Sequence, residues 1–452
     1  MTSNPLPSGD DVLSLLSDLI AAARKAGADA ADAMLYDSAG LSLSQRLGQP
    51  EKLERAESCD LGLRVLIGRC QAVVSCTDRK PAALAEMVER AVAMARLVPE
   101  DPFCGLAEPE QLAHDWPDLD LNDGVEPSAE SLIEQARGAE EAALAVAGVT
   151  NSEGAEASWG RTRLALAASN GFAGSYAITR HSLAVSVIAG SGTGMERDYD
   201  FDSKVHATEM GAAVEIGRRA GERAVRRLNP RKLNSQKLPV IFDPRVSQSL
   251  LGHLSSAISG SAVARGTSFL MNCLGQTIFA PGVTVVDDPR LRRGLRSRPF
   301  DGEGVAVARR AVIDGGRLTT WLMDLRSSRQ LGLTSTGHGS RGTGGPPHPA
   351  PTNLYMLPGL RSPAELIGEI KHGFYITDLL GMGVSGITGD YSRGAAGFLI
   401  ENGVLTWPVS EVTIAGNLKD MFLALEPAND LVFRYGIDVP TVRIDGLMVA
   451  GT

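Results

Sequence analysis

Phenylalanine, tryptophan and tyrosine together make up 5% of this 452-residue chain, and cysteine occurs five times. So few aromatic residues, beside 50 glycines, favour hairpins and tight turns over large aromatic cores. The cysteines are Cys59, Cys70, Cys76, Cys104 and Cys273. They are odd in number and form no C-x-x-C pair, which argues against a disulfide framework and a cysteine zinc knuckle. No apolar run is long enough to span a bilayer, so membrane contact is not expected. Residues 1–11, MTSNPLPSGDD, lack the basic stretch and apolar core of a signal peptide. The expected compartment is the cytoplasm. Positive charge is also short: the formal net charge is −9. An acidic chain is repelled by phosphate, so direct nucleic-acid binding is not expected. None of the seven histidines is followed by Glu, and no two stand at the H-x-x-x-H spacing. An H-E-x-x-H zinc peptidase site is therefore excluded.

The chain is too long for one core, and two domains are expected, residues 1–232 and 233–452. An amphipathic helix is predicted over 10–26, a hairpin over 61–77 turning at Gly68-Arg69, and a helix over 81–96 opened by Pro81. Residues 98–127 are rich in Pro and acids and read as a surface connection within the first domain. A helix follows over 128–147, then strands from 149 to 201 with a turn at Asn170-Gly171, then a helix over 208–228. The second domain opens with a strand over 238–242. Asp243 and Pro244 supply an N-cap and a first-turn proline for a helix that ends at Gly260. A hairpin is predicted from 305–313 and 317–323. Residues 336–351, TGHGSRGTGGPPHPAP, read as an irregular loop. The fold class is α+β: two domains of mainly antiparallel sheets with packed helices, the C-terminal one strand-rich, as a barrel or a large sheet.

Several clusters invite chemistry. Asp198, Asp200, Asp202 and Glu209 fall at positions 1, 3, 5 and 12 of a calcium loop, but Ser203 stands where the sharp turn needs Gly. Tyr199 and Phe201 between the acids favour a half-buried strand. Arg218, Arg219, Arg223, Arg226 and Arg227 read as cations near a helix C-terminus. Arg290, Arg292, Arg293, Arg296 and Arg298 form a second group. Asp390 and Glu401 are acids among glycines with no evident partner. The segment 381–390, GMGVSGITGD, lacks the Lys and spacing of a phosphate loop; its glycines suit backbone packing or close approach of a peptide.

The stretches ITGDYSRGAAGFLIENG from Ile387 and PVSEVTIAGNLKDM from Pro408 are long and specific. With STGHG from Ser335, TNLYM from Thr352 and GHLSSAISGSA from Gly252, they resemble the TldD/PmbA family, and their wording is that of its PmbA/TldE branch. The resemblance is close over the second half and weaker over the first. It implies a two-domain fold and a heterodimer of related subunits that degrades or matures peptides. It also implies a TldD branch that binds zinc through H-E-x-x-x-H on a helix and a Cys near the C-terminus. Here that window reads Gln248-Ser249-Leu250-Leu251-Gly252-His253, and the tail from Asp430 to Gly446 has no Cys. One neutral imidazole without a neighbouring Glu cannot hold and activate a zinc-bound water. His253 is seven residues from Val246, about 20° away around the helix, so it is expected to be a packed, hydrogen-bonded core residue.

The function this implies is that of a non-catalytic subunit, with no cofactor in this chain and zinc in a TldD-like catalytic partner. It would hold unfolded peptide by strand addition near Gly383, Ser385, Gly386, Asp390, Ser392 and Arg393, with the glycines of 337–345 also suited to backbone approach. Alone, it could pair as a homodimer. Two alternatives stay open: an active metallopeptidase using His338, His348 or His372 with Asp390, and a binding protein that modulates DNA gyrase or an antitoxin.

Overall fold

The computed structural model describes residues 9–451; the reading of residues 1–8 as lacking a leader lies outside them. The chain begins with helix α1 (Gly9–Lys25), followed by strands β1 (Ala30–Arg46), β2 (Gln49–Ile67) and β3 (Cys70–Cys76) and helix α2 (Pro81–Ala95). After the connection come α3 (Ala129–Leu144), β4 (Val149–Ala168), β5 (Ala173–Ala189), β6 (Glu196–Lys204) and α4 (Ala213–Arg226). The six strands form one antiparallel sheet in the order β3-β2-β1-β4-β5-β6. Alternation along β1 decides what each face covers. Ala31, Ala33 and Leu35 pack under α1 and α2, and Leu41 and Leu43, on the same face, pack under α3 and α4. Met34, on the opposite face, meets Phe172, Phe300, Val305 and Leu325, so the second half of the chain covers part of that side.

The second half carries β7 (Gln236–Phe242), α5 (Pro244–Ala257), β8 (His372–Leu380), β9 (Asp390–Glu401), β10 (Val404–Asn417) and β11 (Val442–Ala450). β8 pairs β7 in parallel, β9 pairs β8, β10 pairs β9, β11 pairs β10, and β11 returns to β7. The five strands close into a barrel, which leaves no edge among them. The strand-rich C-terminal half is thus a barrel. Asp243 caps α5 by accepting from the Arg245 N–H at 2.9 Å, with Pro244 in the first turn, as the sequence predicts. Val246, Leu250 and Leu254 of α5 share one apolar cluster with Val240, Phe374, Leu399, Ile414 and Val449 of the barrel.

Several local expectations are corrected. Helix α4 starts at Ala213 rather than 208, because a 3-10 turn spans Ala207–Glu209 and the Gly211 N–H is held by Asp202 at 2.8 Å. The hairpin near 314 is short, Arg310–Asp314 with Arg317–Leu318. Upstream, the Ala306 N–H bonds the Gln111 carbonyl and Val305 bridges Leu112, so the connection captures that backbone. The loop 336–351 contains a short pairing of Gly339–Ser340 with His348–Pro349. Its Arg341 is buried against Asp32 of β1, which also takes Arg64 Nε at 2.8 Å. The backbone at Thr343 lies where a side chain on Gly62 of β2 would stand. The missing side chain at Gly62 therefore admits this loop to close packing against the first half.

The acidic triplet lies on a half-buried strand, as its alternation suggests. Asp198, Asp200 and Asp202 face inward on β6, and all three are buried. Asp200 binds Arg219 and Arg223 of α4 at 2.7 and 2.8 Å, and Arg434 at 2.6 Å. Asp198 binds Arg245 of α5 at 2.7 Å. A buried carboxylate needs such partners, and with the arginines in place little negative charge is left for a calcium ion. Arg223 and Arg226 stand in the last turn of α4 and Arg227 at its C-cap, as expected of cations near a helix end, and most of the group also serve as ion-pair partners. Arg218 pairs Glu215 and Glu222, Arg227 reaches Glu196, and Arg226 lies over the Phe398 ring at 4.8 Å.

Candidate functional site

Near the end of α5, His253 borders a cavity of about 280 Å³. Phe269 and Thr267 come from the segment after α5, Leu418 follows β10, and Met382, Val384 and Gly386 come from the turn between β8 and β9. That turn is closed by its own backbone. The Ser392 N–H bonds the Gly383 carbonyl at 2.7 Å, Ser385 N–H the Asp390 carbonyl at 2.9 Å, and Phe269 N–H the Gly386 carbonyl at 2.9 Å. A Cβ on Gly383 would overlap the Ser392 carbonyl, so glycine is required there by the chain's own strand.

The polar atoms at this place are poorly satisfied. His253 is half-buried, and its Nε2 has no hydrogen-bond partner among the described residues. The Tyr391 ring meets it edge-on at 6.0 Å, and the buried Tyr391 hydroxyl also lacks a well-formed hydrogen bond. Arg393 donates to the Leu379 carbonyl at 3.3 Å but leaves Nε unpartnered. Burial, and then the charge of Arg393, lower the His253 pKa and keep the imidazole neutral. Burial pushes the Tyr391 hydroxyl up to about 12, with Arg393 opposing. His253 is therefore no hydrogen-bonded core histidine; its ring edge borders an opening, because α5 ends there and the β8–β9 turn folds over it. Around the opening, Met382 and Ile387 are 87% and 67% exposed.

The other named residues do not join it. Gln248 Nε2 donates to the Arg245 carbonyl at 3.1 Å and Ser249 Oγ to the Val246 carbonyl at 2.6 Å, each on its own helix. Neither borders the cavity. Asp390 is exposed and accepts from Thr388 Oγ1 at 2.6 Å and Asn417 Nδ2 at 3.0 Å. Those hydrogen bonds hold its carboxyl below the usual range. Ser392 is exposed beside it, while Tyr391 and Arg393 share the other face of β9. The alternation in DYSRG carried this signal: one strand face cannot present both sets, and Tyr391 was missed. His372 pairs with Glu401, at the far end of β9 from Asp390, roughly 35 Å away along the strand. His338 is buried, with Nδ1 2.8 Å from Thr336 Oγ1 and Nε2 3.1 Å from Asp287. The set His338, His348, His372 and Asp390 is not assembled. Among the described residues no three His, Cys, Asp or Glu side chains gather as a metal site, and a zinc ion does not fit the single imidazole at the cavity.

A larger cleft of about 420 Å³ between the halves is lined by Lys204, Arg292, Arg293 and Arg434. Each of these already meets a carboxylate: Asp202, Asp120, Asp120 with Glu209, and Asp200. Among the described residues no helix is long and apolar enough to cross a membrane.

A helix-covered antiparallel sheet joined to a small barrel, with a helix end and a glycine-rich turn framing a cavity, is the architecture of a metallopeptidase family. Residues 31–95, 122–228 and 235–451 match the PmbA/TldA metallopeptidase domain 1, central domain and C-terminal domain. The first two of these segments contribute strands to the same sheet. The chain is 40% identical over 426 residues to the metalloprotease PmbA of Escherichia coli, covering 94% of this chain and 92% of that one. It is 35% identical over 432 residues to the PmbA homologue of Haemophilus influenzae, covering 95% and 94%. Its fold matches the crystal structure of a candidate modulator of DNA gyrase from Bacteroides thetaiotaomicron, with a TM-score of 0.90, 29% identity and coverage of 98% and 99%. It also matches TldE of Thermococcus kodakarensis in fold, with a TM-score of 0.86, 21% identity and coverage of 97% and 100%. This chain belongs to the PmbA/TldD metallopeptidase family.

Proposed function

We propose that this chain is the non-catalytic subunit of a two-chain zinc peptidase, holding unfolded peptide for a TldD-like catalytic partner. The observation that carries the reading is the His253 cavity. In the window where the family's catalytic branch is expected to place two histidines and a glutamate, this chain has Gln248, Ser249 and His253, and the first two turn back onto their own helix. A neutral imidazole with no carboxylate beside it lacks both the ligand set and the base for hydrolysis. It retains what peptide binding uses. The His253 ring lines an apolar cavity that an extended segment could enter, and the exposed Met382 and Ile387 beside it can meet apolar side chains. Within the peptide-binding set first assigned, Gly386 lines the cavity and keeps that role, Arg393 lies behind it on β9 and donates to the Leu379 carbonyl, and Gly383, Ser385, Asp390 and Ser392 shape the turn. Zinc belongs to the partner.

The test is a three-way comparison of zinc content and hydrolysis of an unfolded peptide: this chain, a TldD-like chain carrying H-E-x-x-x-H, and their mixture. This chain alone is expected to hold no stoichiometric zinc and to cleave nothing. The mixture is expected to outpace the partner alone. Equal rates for partner and mixture would remove the helper role. One chelator-sensitive zinc per chain, lost together with activity, would restore this chain to the catalytic class.

A further inference from the structure

Strand β6 leaves β5 at His181↔Lys204, so the outer edge of β5 before that point has no strand beside it among the described residues. The connection between α2 and α3 reaches this edge where the Thr179 N–H donates to the Leu121 carbonyl at 2.8 Å. Successive residues of a strand turn their N–H and C=O groups to opposite sides. Since Thr179 points outward, Ala177 and Ser175 do too, roughly 7 Å apart along the strand. No backbone hydrogen bond crosses the edge from either of them among the described residues. At Asp120, with φ of 53°, the connection bends. Arg292 and Arg293 hold that carboxylate at 2.9 and 2.6 Å, and the Arg293 N–H donates to the Leu119 carbonyl at 2.9 Å. Before the bend, Trp116, Pro117 and Asp118 share a cavity of about 420 Å³ with Ser175, Tyr176 and Ala177. The Trp116 ring is fixed edge-on to Phe300, with centroids 5.0 Å apart. Asp118 accepts the Asp120 N–H at 2.8 Å and meets no lysine or arginine among the described residues.

We propose that this cavity takes an extended peptide segment carrying lysine or arginine, added as a strand to the outer edge of β5 at Ser175 and Ala177. Two N–H and two C=O groups are offered there, and the backbone of an extended peptide can answer all four. The connection does not close the gap itself, because its ties to Arg292 and Arg293 hold it at the far wall. Side chains alternate along the added segment, so those on one face meet the Trp116 ring and Pro299. Asp118 selects the charge. Its carboxylate has no cation of its own, so a basic side chain is attracted and an acidic one meets like charge. Asp120 adds little to this choice, since its charge is already met by Arg292, Arg293 and His206. The site lies on the first half of the chain, apart from the His253 cavity, and goes beyond the reading given to that cavity.

The test is calorimetric titration of the full chain, without any partner, with the probe acetyl-Val-Lys-Val-Lys-Val-amide. One probe per chain is expected to bind. A probe N-methylated at every residue donates no backbone hydrogen bond and is expected to bind about tenfold more weakly. Ala177→Pro removes one outward N–H, which an edge position tolerates, and is expected to weaken the plain probe about tenfold while the urea midpoint holds. Should the midpoint fall, the N-methylated probe on the wild type decides alone. Asp118→Asn is expected to weaken the lysine probe about threefold and to leave a probe with norleucine in place of lysine unchanged. No binding at millimolar probe overturns the proposal, and so does equal affinity for the plain and N-methylated probes. Binding that is lost in Met382→Ala but kept in a folded Ala177→Pro belongs to the His253 cavity. That outcome overturns this proposal and leaves the reading of the cavity standing.

Discussion

Strands β6 and β9 both alternate, yet they turn opposite kinds of side chain inward. β6 buries Asp198, Asp200 and Asp202, whereas β9 buries Tyr391, Ala395 and Leu399. The difference lies in what each face meets. β9 belongs to a closed barrel whose core is apolar. β6 is the edge of the six-stranded sheet, and the arginines that reach it come from α4, from α5 and from Arg434. An alternating pattern therefore fixes which residues share a face, but the polarity of the buried face is set by partners distant in sequence. The first half joins the second through buried charge as well as through the apolar cluster around Phe300, while the barrel is held by apolar packing.

The sharpest way to break this contrast is at the buried triad of Asp32, Arg64 and Arg341. Asp32→Ala leaves two guanidinium groups buried without their carboxylate and is expected to cost about 3–5 kcal/mol, read as a fall in the urea midpoint. Burial raises the Asp32 pKa, and Arg341 and Arg64 more than reverse this, so the folded value lies below the ordinary one. The contribution of Asp32 in the wild type is thus present above about pH 4 and lost as pH falls through the folded pKa. An unfolding profile for Asp32→Ala with the same acid limb as the wild type would show that the triad adds little.

A second carboxylate nearby has the opposite sign. Burial, then the charge of Asp301, push Glu303 up to about 8. The folded chain therefore holds a proton that the unfolded chain releases above about pH 4.5, and stability falls as pH rises from there to about 8. Asp301 is shifted the same way, mainly by burial. Glu303→Gln keeps an acceptor for the Leu325 N–H, which Glu303 Oε2 now receives at 2.8 Å. It is expected to match the wild type near pH 5 and to exceed it by about 4 kcal/mol at pH 8.5. Parallel urea midpoints at the two pH values check this, and an unchanged difference between them would refute the shift.

The smallest expected change is at the barrel. Gln248→His with Ser249→Glu rebuilds H-E-x-x-x-H around His253, yet peptide hydrolysis without a partner is expected to stay at background. Residues five apart on a helix point about 140° away from each other, the tail offers no Cys, and no groups are in place to orient the ligands. Chelator-sensitive hydrolysis by this double variant would show instead that the barrel keeps a nearly complete site.

The sequence by itself determined the family, the α+β class, the capped start of α5, the loss of the zinc motif, and the pairing of β2 with β3. These rest on local rules: caps, turn residues, periods of 2 and 3.6, and the chemistry a ligand set must supply. Tertiary structure alone decided that Arg341 enters the first half, that the acids of β6 are buried, and that Gly383 accommodates its own strand. It also placed His253 at an opening, with its ring edge-on to the buried Tyr391. Each of these depends on contacts between segments tens to hundreds of residues apart, as between Arg341 and Asp32 or Asp200 and Arg434. A sequence window sees the residue and its period, but the partner that makes its burial affordable lies outside the window.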